Sequence, residues 1–204
     1  MHARVRASLQ KVKAWEGSLW ADFKLSAHKL MEEKLGKPDE VQRADAHWPP
    51  REILKFSTEK SVMVLTVGVS LRPQPRVEMA MEDASDARRI ELGCALSSEN
   101  MNHLPAVMDS LKHLSHAPWQ MFTWLGDGHA LPWTALPDHP YVLLAEDPPD
   151  APELSWPPFD DGRVKLLWLI PLTAEDRAVA LSDGAAALKT RLWSRGVTHI
   201  FGAF

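Results

Sequence analysis

The segment RVKLLWLIPLTAEDRAVALSDGAAALKTRL, from Arg163 to Leu192, limits the choice of fold more than any other. Its first part is an almost unbroken apolar run. A strand of that kind is a core strand, apolar on both of its sides. Pro171 is expected to end it. Thr173 then caps a helix over residues 174–195, with Asp176 at the third position of a capping box in place of the preferred Glu. Glu175 and Asp176 suit the positive helix end. Leu181, Ala185, Leu188 and Leu192 are expected to form the buried stripe, Gly184 to permit close packing or a kink, and Gly196 to close the helix. Cap, stripe and stop account for this junction without any chemistry.

A second run, SVMVLTVGVSL, is rich in β-branched residues and reads as another central strand. EILKFST precedes it across a Glu59-Lys60 turn, which suggests a hairpin. RVEMAMED alternates apolar and acidic residues. It is expected as a strand that pairs with RIELGCAL across Ser85-Asp86. WQMFTWL and PYVLLAED are further strand candidates, GDGHALP a turn, and VTHIFGAF a closing strand.

Two helices are expected besides the last. WADFKLSAHKLMEEKLGKPDE puts Phe23, Ala27, Leu30 and Met31 on one face and stops at Gly36 and Pro38. NHLPAVMDSLKHLSHAP has a stripe of Leu104, Val107, Met108, Leu111 and Leu114, admits Pro105 in its first turn, and is expected to end at Pro118. Residues 41–51, with Trp48-Pro49-Pro50, read as an irregular connection. PPDAPELSWPPFDDG carries five prolines and reads as a long irregular loop. Residues 1–20 are expected as a tail or short helix, and 21–204 as a single domain.

The net charge of −4 argues against a nucleic-acid partner held through its phosphates. No apolar stretch reaches membrane-spanning or signal-peptide length, so a cytoplasmic protein with no membrane partner is expected. The single cysteine, Cys94, permits no internal disulfide and reads as a packed core thiol. No phosphate-cradling glycine loop, nucleophile elbow or zinc-protease motif is present. His113 and His116 have a zinc-compatible spacing, with His103 earlier on the same helix, but no cysteine joins them. The leading expectation is no catalytic residue, no metal and no cofactor. A small metal-dependent hydrolase using His103, His113 and His116 is the alternative. The chain has nine tryptophans. Those beside loops, Trp119, Trp124, Trp133 and Trp156, could anchor a partner or fill the core beneath a loop.

The order VLTVGVS, VEMAMED, LPAVMDSL, GDGHALPWTAL, VLLAEDPP and VKLLWLIPLTAEDRAVALSDGAAALKTRL resembles the suppressor-of-fused family in its short bacterial form, from about Asp22 to Ile200. The resemblance implies an α/β fold of α+β type. Its sheet is twisted and mixed, mostly antiparallel, and flanked by helices. It also implies a protein-binding module rather than an enzyme. Animal members take a short peptide as an added strand, using an aromatic and the Asp of a Gly-Asp-His turn. Trp119 and Asp127 match those positions, although Gly128 separates Asp127 from His129. Bacterial members suggest an immunity protein that occludes a toxin domain. A peptide-binding adaptor is the second reading. The residues expected to touch a partner are Trp119, Asp127, His129, Trp133 and Trp156.

Overall fold

The computed structural model describes residues 3–43 and 50–202, and of residues 3–15 the backbone alone. The chain opens with α1 (Ala3–Leu35), then β1 (Glu40–Arg43), β2 (Glu52–Ser57) and β3 (Ser61–Val67). A short helix α2 (Pro75–Ala80) leads to β4 (Arg89–Ser97) and α3 (Leu104–Gln120). β5 (Ala130–Pro132), β6 (Tyr141–Ala145) and β7 (Val164–Leu172) follow. The chain closes with α4 (Ala174–Ser182), α5 (Gly184–Ser194) and β8 (Ile200–Phe201).

The strands form one mixed sheet in the order β1-β2-β3-β4-β7-β6-β5, with β8 beside β4. Only the β4–β7 and β4–β8 pairs are parallel. The central strands are buried on both sides, as their apolar runs require. Alternate residues feed two apolar layers. On one face Leu65, Trp168 and Ile170 pack with Phe23, Ala27 and Met31 of α1 and Leu188 and Leu192 of α5. On the other, Val64, Leu92, Leu167 and Leu169 pack with Val107, Met108 and Leu111 of α3. Cys94 is in the second layer, and burial pushes its thiol up to about 12. Among the described residues no helix is long and apolar enough to cross a membrane.

Several local expectations are corrected. RVEMAMED is not a strand. Pro75 starts a helical turn, only Val77 is buried, and Met79 is 75% exposed. β4 pairs instead with β3 and β7, which satisfies its buried main chain on both edges. WQMFTWL is not a strand either: Trp119 and Gln120 complete α3 and the rest is turn and coil. Pro118 therefore lies within the last turn of α3 and does not end it. Within GDGHALP, Gly126–His129 turns, but Ala130–Pro132 is extended as β5.

β7 continues through Pro171 to Leu172. β4 accompanies β7 only as far as Trp168, so at Pro171 the strand has a single neighbour and tolerates a residue without an N–H. The last helix is two. Gly184 sits at φ +86 and breaks the ladder after Asp183, which leaves Leu181 71% exposed rather than in the stripe. The Thr173–Asp176 capping box is present in both directions. Val41–Arg43 belongs to β1, while residues 44–49 of the expected irregular connection, Trp48 included, lie outside the described residues, as do Ala203 and Phe204.

Candidate functional site

The sheet ends at β5, and the turn that feeds β5 carries Asp127. Gly128 donates its N–H to Leu144 O at 2.8 Å, and Leu144 donates to His129 O at 2.8 Å. Gly128 has φ +84, and a Cβ there would lie 2.9 Å from Ala185, so only glycine fits between turn and α5. Trp133 N donates to Pro140 O. With the pairing Leu131↔Val142, this alternation turns the backbones of Ala130 and Pro132 away from β6. The free edge of β5 therefore presents the N–H and C=O of Ala130 and the C=O of Pro132. No strand pairs with it among the described residues.

Asp127 Oδ1 accepts from the Glu146 N–H at 2.9 Å and from Lys189 of α5. Partial burial alone would raise its carboxyl. The Lys189 and Glu146 hydrogen bonds and the charges of Lys189 and Lys165 outweigh that and hold it below the usual range. His129 packs edge-on against Trp124, ring centroids 4.3 Å apart, and burial lowers its pKa.

Glu146 links this turn to a cavity of about 500 Å³ beneath the proline-rich loop. Its carboxylate bridges Lys165 (2.9 Å) and Arg163 (3.1 Å). The cavity lies against Trp156, Trp168 and Leu166. The loop above it is pinned. Arg89 grips Asp161 with two hydrogen bonds of 2.8 and 2.7 Å, and Arg88 donates to Asp161 O at 2.8 Å. Phe159 lies under the Arg89 guanidinium at 4.1 Å and stacks on Phe23 at 5.5 Å.

The five residues expected at a partner surface do not converge. Asp127 and His129 share one turn. Trp156 is buried in the α1 layer and Trp133 in the α3 layer, on opposite faces of the sheet. Trp119 sits on α3 rather than on a strand. It donates Nε1–H to Pro73 O at 3.2 Å and lies 5.0 Å from the Arg51 guanidinium. The three histidines also part. His103 is bonded to Asn102, His113 to Asp109 O at 2.8 Å, and His116 to Arg51. Among the described residues no three His, Cys, Asp or Glu side chains come together as metal ligands.

Two buried polar residues went unseen in the sequence. Glu91 is fully buried and accepts from Thr66 Oγ1 (2.7 Å), Ser70 Oγ (2.7 Å) and the N–H groups of Gly68 (2.9 Å) and Ser70 (3.0 Å). Gln74, also fully buried, exchanges two hydrogen bonds with the Leu125 backbone and donates to Ala87 O. Glu91 holds the turn after β3, and Gln74 ties the segment before β5 to the segment before β4. A polar side chain inside an otherwise apolar strand run was the only sign of Glu91, and Gln74 gave none.

The family model described as "Suppressor of fused protein (SUFU)" matches residues 47–202, most of the chain. The chain belongs to the suppressor of fused family. A suppressor of fused homolog from Neisseria gonorrhoeae FA 1090 superposes with a TM-score of 0.59 at 13% identity, covering 88% of this chain and 93% of that one. A structure of the Sufu–Fu complex gives a TM-score of 0.62 at 12% identity, covering 89% and 90%. Comparison with curated proteins finds no match. At these identities the two structures establish the fold. The family fold is the mixed, mostly antiparallel sheet flanked by helices seen here.

Proposed function

We propose that this chain is a non-enzymatic protein-binding module that restrains its partner by occlusion, taking an extended segment along the free edge of β5 beside Asp127. The observation that carries the reading is that edge: a terminal strand with unpaired main-chain groups, next to a carboxylate held in its charged form. Main-chain pairing supplies affinity, and side-chain pockets along the strand supply selectivity. Pro132 removes one donor, so pairing centres on the N–H and C=O of Ala130. A family relative solved in a Sufu–Fu complex supports a protein as the class of partner. The finer reading is that the partner is a toxin domain and this chain its immunity protein. An adaptor for a regulatory peptide would use the same edge.

The test is co-expression with the product of each neighbouring gene, followed by hydrogen exchange on any complex. Slowed exchange over residues 126–132 is expected. So is weaker capture by Asp127→Ala, which remains folded, with a midpoint lowered only by the loss of its bonds to the Glu146 N–H and Lys189. Rescue of a host that expresses the neighbouring toxin supports the immunity reading; capture without rescue supports the adaptor. Unchanged exchange at β5 in a formed complex, or unchanged capture by Asp127→Ala, overturns the site.

A further inference from the structure

β7 outruns β6. Pairing with β6 runs from Leu172 back to Trp168, where Ala145 is the last partner, whereas β4 stays beside β7 down to Val164. On its β6 side, residues 164–167 therefore have no neighbouring strand among the described residues. Leu144 turns its N–H and C=O toward β5, bonding His129 and Gly128. Alternation then turns Ala145 toward β7 and its partner Trp168 toward β6. Leu166, two residues back, points the same way, and so does Val164. The N–H and C=O of Leu166 meet no partner on that side among the described residues, although Leu166 is buried. Buried main-chain groups are nearly always paired.

The cavity of about 500 Å³ beneath the proline-rich loop lies here. Val164, Lys165 and Leu166 line one wall, and Leu154 and Trp156 of the loop line another. The grip of Arg89 on Asp161 fixes the far end of that loop, so the slot is preformed. Its two faces differ. Leu166 shares the α1 layer with Trp156, and Leu154 packs against that layer, so this face is apolar. Lys165 alternates to the other face, where Glu146 and Asp86 already match its charge and that of Arg163. On the rim, Asp147 and Glu153 are exposed and make no ion pair among the described residues. The uncompensated charge of the slot is therefore negative.

We propose that this slot takes a short extended segment of a partner protein in place of the missing length of β6. A residue set opposite Leu166 exchanges N–H···O=C bonds with it in both directions. Its side chain falls on the α1 face, against Leu154 and Trp156, where an apolar residue fits. Its two neighbours turn to the face where the charges are already matched, and uncharged polar residues fit there. The residues two away return to the loop face, where the free carboxylates of the rim favour lysine or arginine. An anionic ligand would meet no free cation, and a purely apolar one would leave the main chain of Leu166 unpaired. β6 separates the slot from the edge of β5, so it is a second seat, independent of the first.

The probe is the capped peptide Ac-Lys-Thr-Val-Thr-Lys-NH2, titrated into the ¹⁵N-labelled full chain and followed by amide NMR. So short a strand is expected to bind at about 0.1–10 mM. The amide proton of Leu166 should move downfield as its hydrogen bond forms, and the indole signal of Trp156 should move with it. The same peptide with N-methylvaline at its centre cannot donate to Leu166 O and should bind about tenfold more weakly or worse. Ac-Glu-Thr-Val-Thr-Glu-NH2 should bind more weakly than the lysine peptide to the wild type. Glu153→Lys changes an exposed side chain and should narrow or reverse that preference. No binding up to about 10 mM, shifts at Ala130 without shifts at Leu166, equal affinity for the N-methylated peptide, or a charge preference that Glu153→Lys leaves untouched overturns the proposal.

Discussion

Trp133 and Trp156 are buried on opposite faces of the sheet, each with its indole N–H lacking an acceptor among the described residues. Both flank loops in the sequence, and both are packing residues. Each fills the layer beneath a connection: Trp133 under the segment that follows β5, Trp156 under the proline-rich loop.

Replacing either by phenylalanine should change stability by no more than about 1–2 kcal/mol. Lost contact area is partly offset by removal of a buried donor that makes no bond. Replacement by alanine should cost about 3–5 kcal/mol through the cavity it leaves. Urea unfolding checks both. A large loss for Trp→Phe at either position would mean that its N–H has a partner in solution.

Glu91 is expected to be the most sensitive polar position in the chain. Burial pushes its carboxyl up, while the Thr66 and Ser70 hydroxyls and the two backbone N–H groups pull it down, and burial prevails. Glu91→Ala leaves the Gly68 and Ser70 N–H groups and the Ser70 hydroxyl without an acceptor, and the Thr66 hydroxyl with only a long bond to Leu92 O. It should destabilise by about 3–5 kcal/mol, as for breaking a buried polar network. Glu91→Gln retains one acceptor but turns an NH₂ toward those donors, and should fall between alanine and wild type. Equal stability of Gln and Glu at this position would show that the side chain is held as a neutral group, with the charge unimportant.

The proline-rich loop should be rigid until its anchor is cut. Asp161 is held below the usual carboxylate range, first by its hydrogen bonds to Arg89, then by the charges of Arg89 and Arg88, against modest desolvation. Asp161 is partly exposed although Arg89 is buried, and Asn keeps one acceptor for the guanidinium, so Asp161→Asn should change global stability by only about 1–2 kcal/mol. Its local effect should be larger: faster cleavage by chymotrypsin near Phe159 while the urea midpoint stays within that range. Cleavage at the wild-type rate would place the loop's stability in Phe159 and Trp156 instead.

The elements legible in the sequence were those whose signal was carried by a whole face. The apolar runs of β3 and β7, the stripes of α1 and α3, and the Thr173–Asp176 box each state their own structure. RVEMAMED failed because six or seven residues of alternation fit a strand as well as a helical turn, and Pro75, just before the run, decided the matter. WQMFTWL failed because Trp119 and Gln120 prolong α3 past Pro118, which removes one main-chain donor without ending the helix. The family could be read from the order of segments. The site could not, because Asp127 meets Lys189 across a long stretch of chain and Arg89 meets Asp161 across another, and neither contact leaves a local pattern.

Acid should loosen the closing end of the molecule before it titrates the carboxylates. His199 is buried, sits edge-on to Trp168 at 5.1 Å between centroids, and has Nδ1 at 3.3 Å from Pro149 O. With the Nδ1–H donating to that carbonyl, Nε2 is the bare nitrogen that would take a proton. Burial lowers the His199 pKa, and the Pro149 carbonyl and the Asp150 charge only partly restore it. His129 and His139 shift the same way, again chiefly through burial. A folded-state pKa below the unfolded value of about 6.5 means that the unfolded chain binds more protons in that window. The stabilisation is therefore complete above about pH 6.5 and is lost as pH falls through the lowered folded values. Urea midpoints should be level from pH 8 to 7 and decline below about 6.5, ahead of the carboxylate range near 4. His199→Phe keeps a ring against Trp168 but cannot titrate, so its decline should be shallower. A midpoint that stays level down to pH 5 in the wild type, or an identical slope in the variant, would show that protonated His199 is accommodated without disturbing the contact with Pro149.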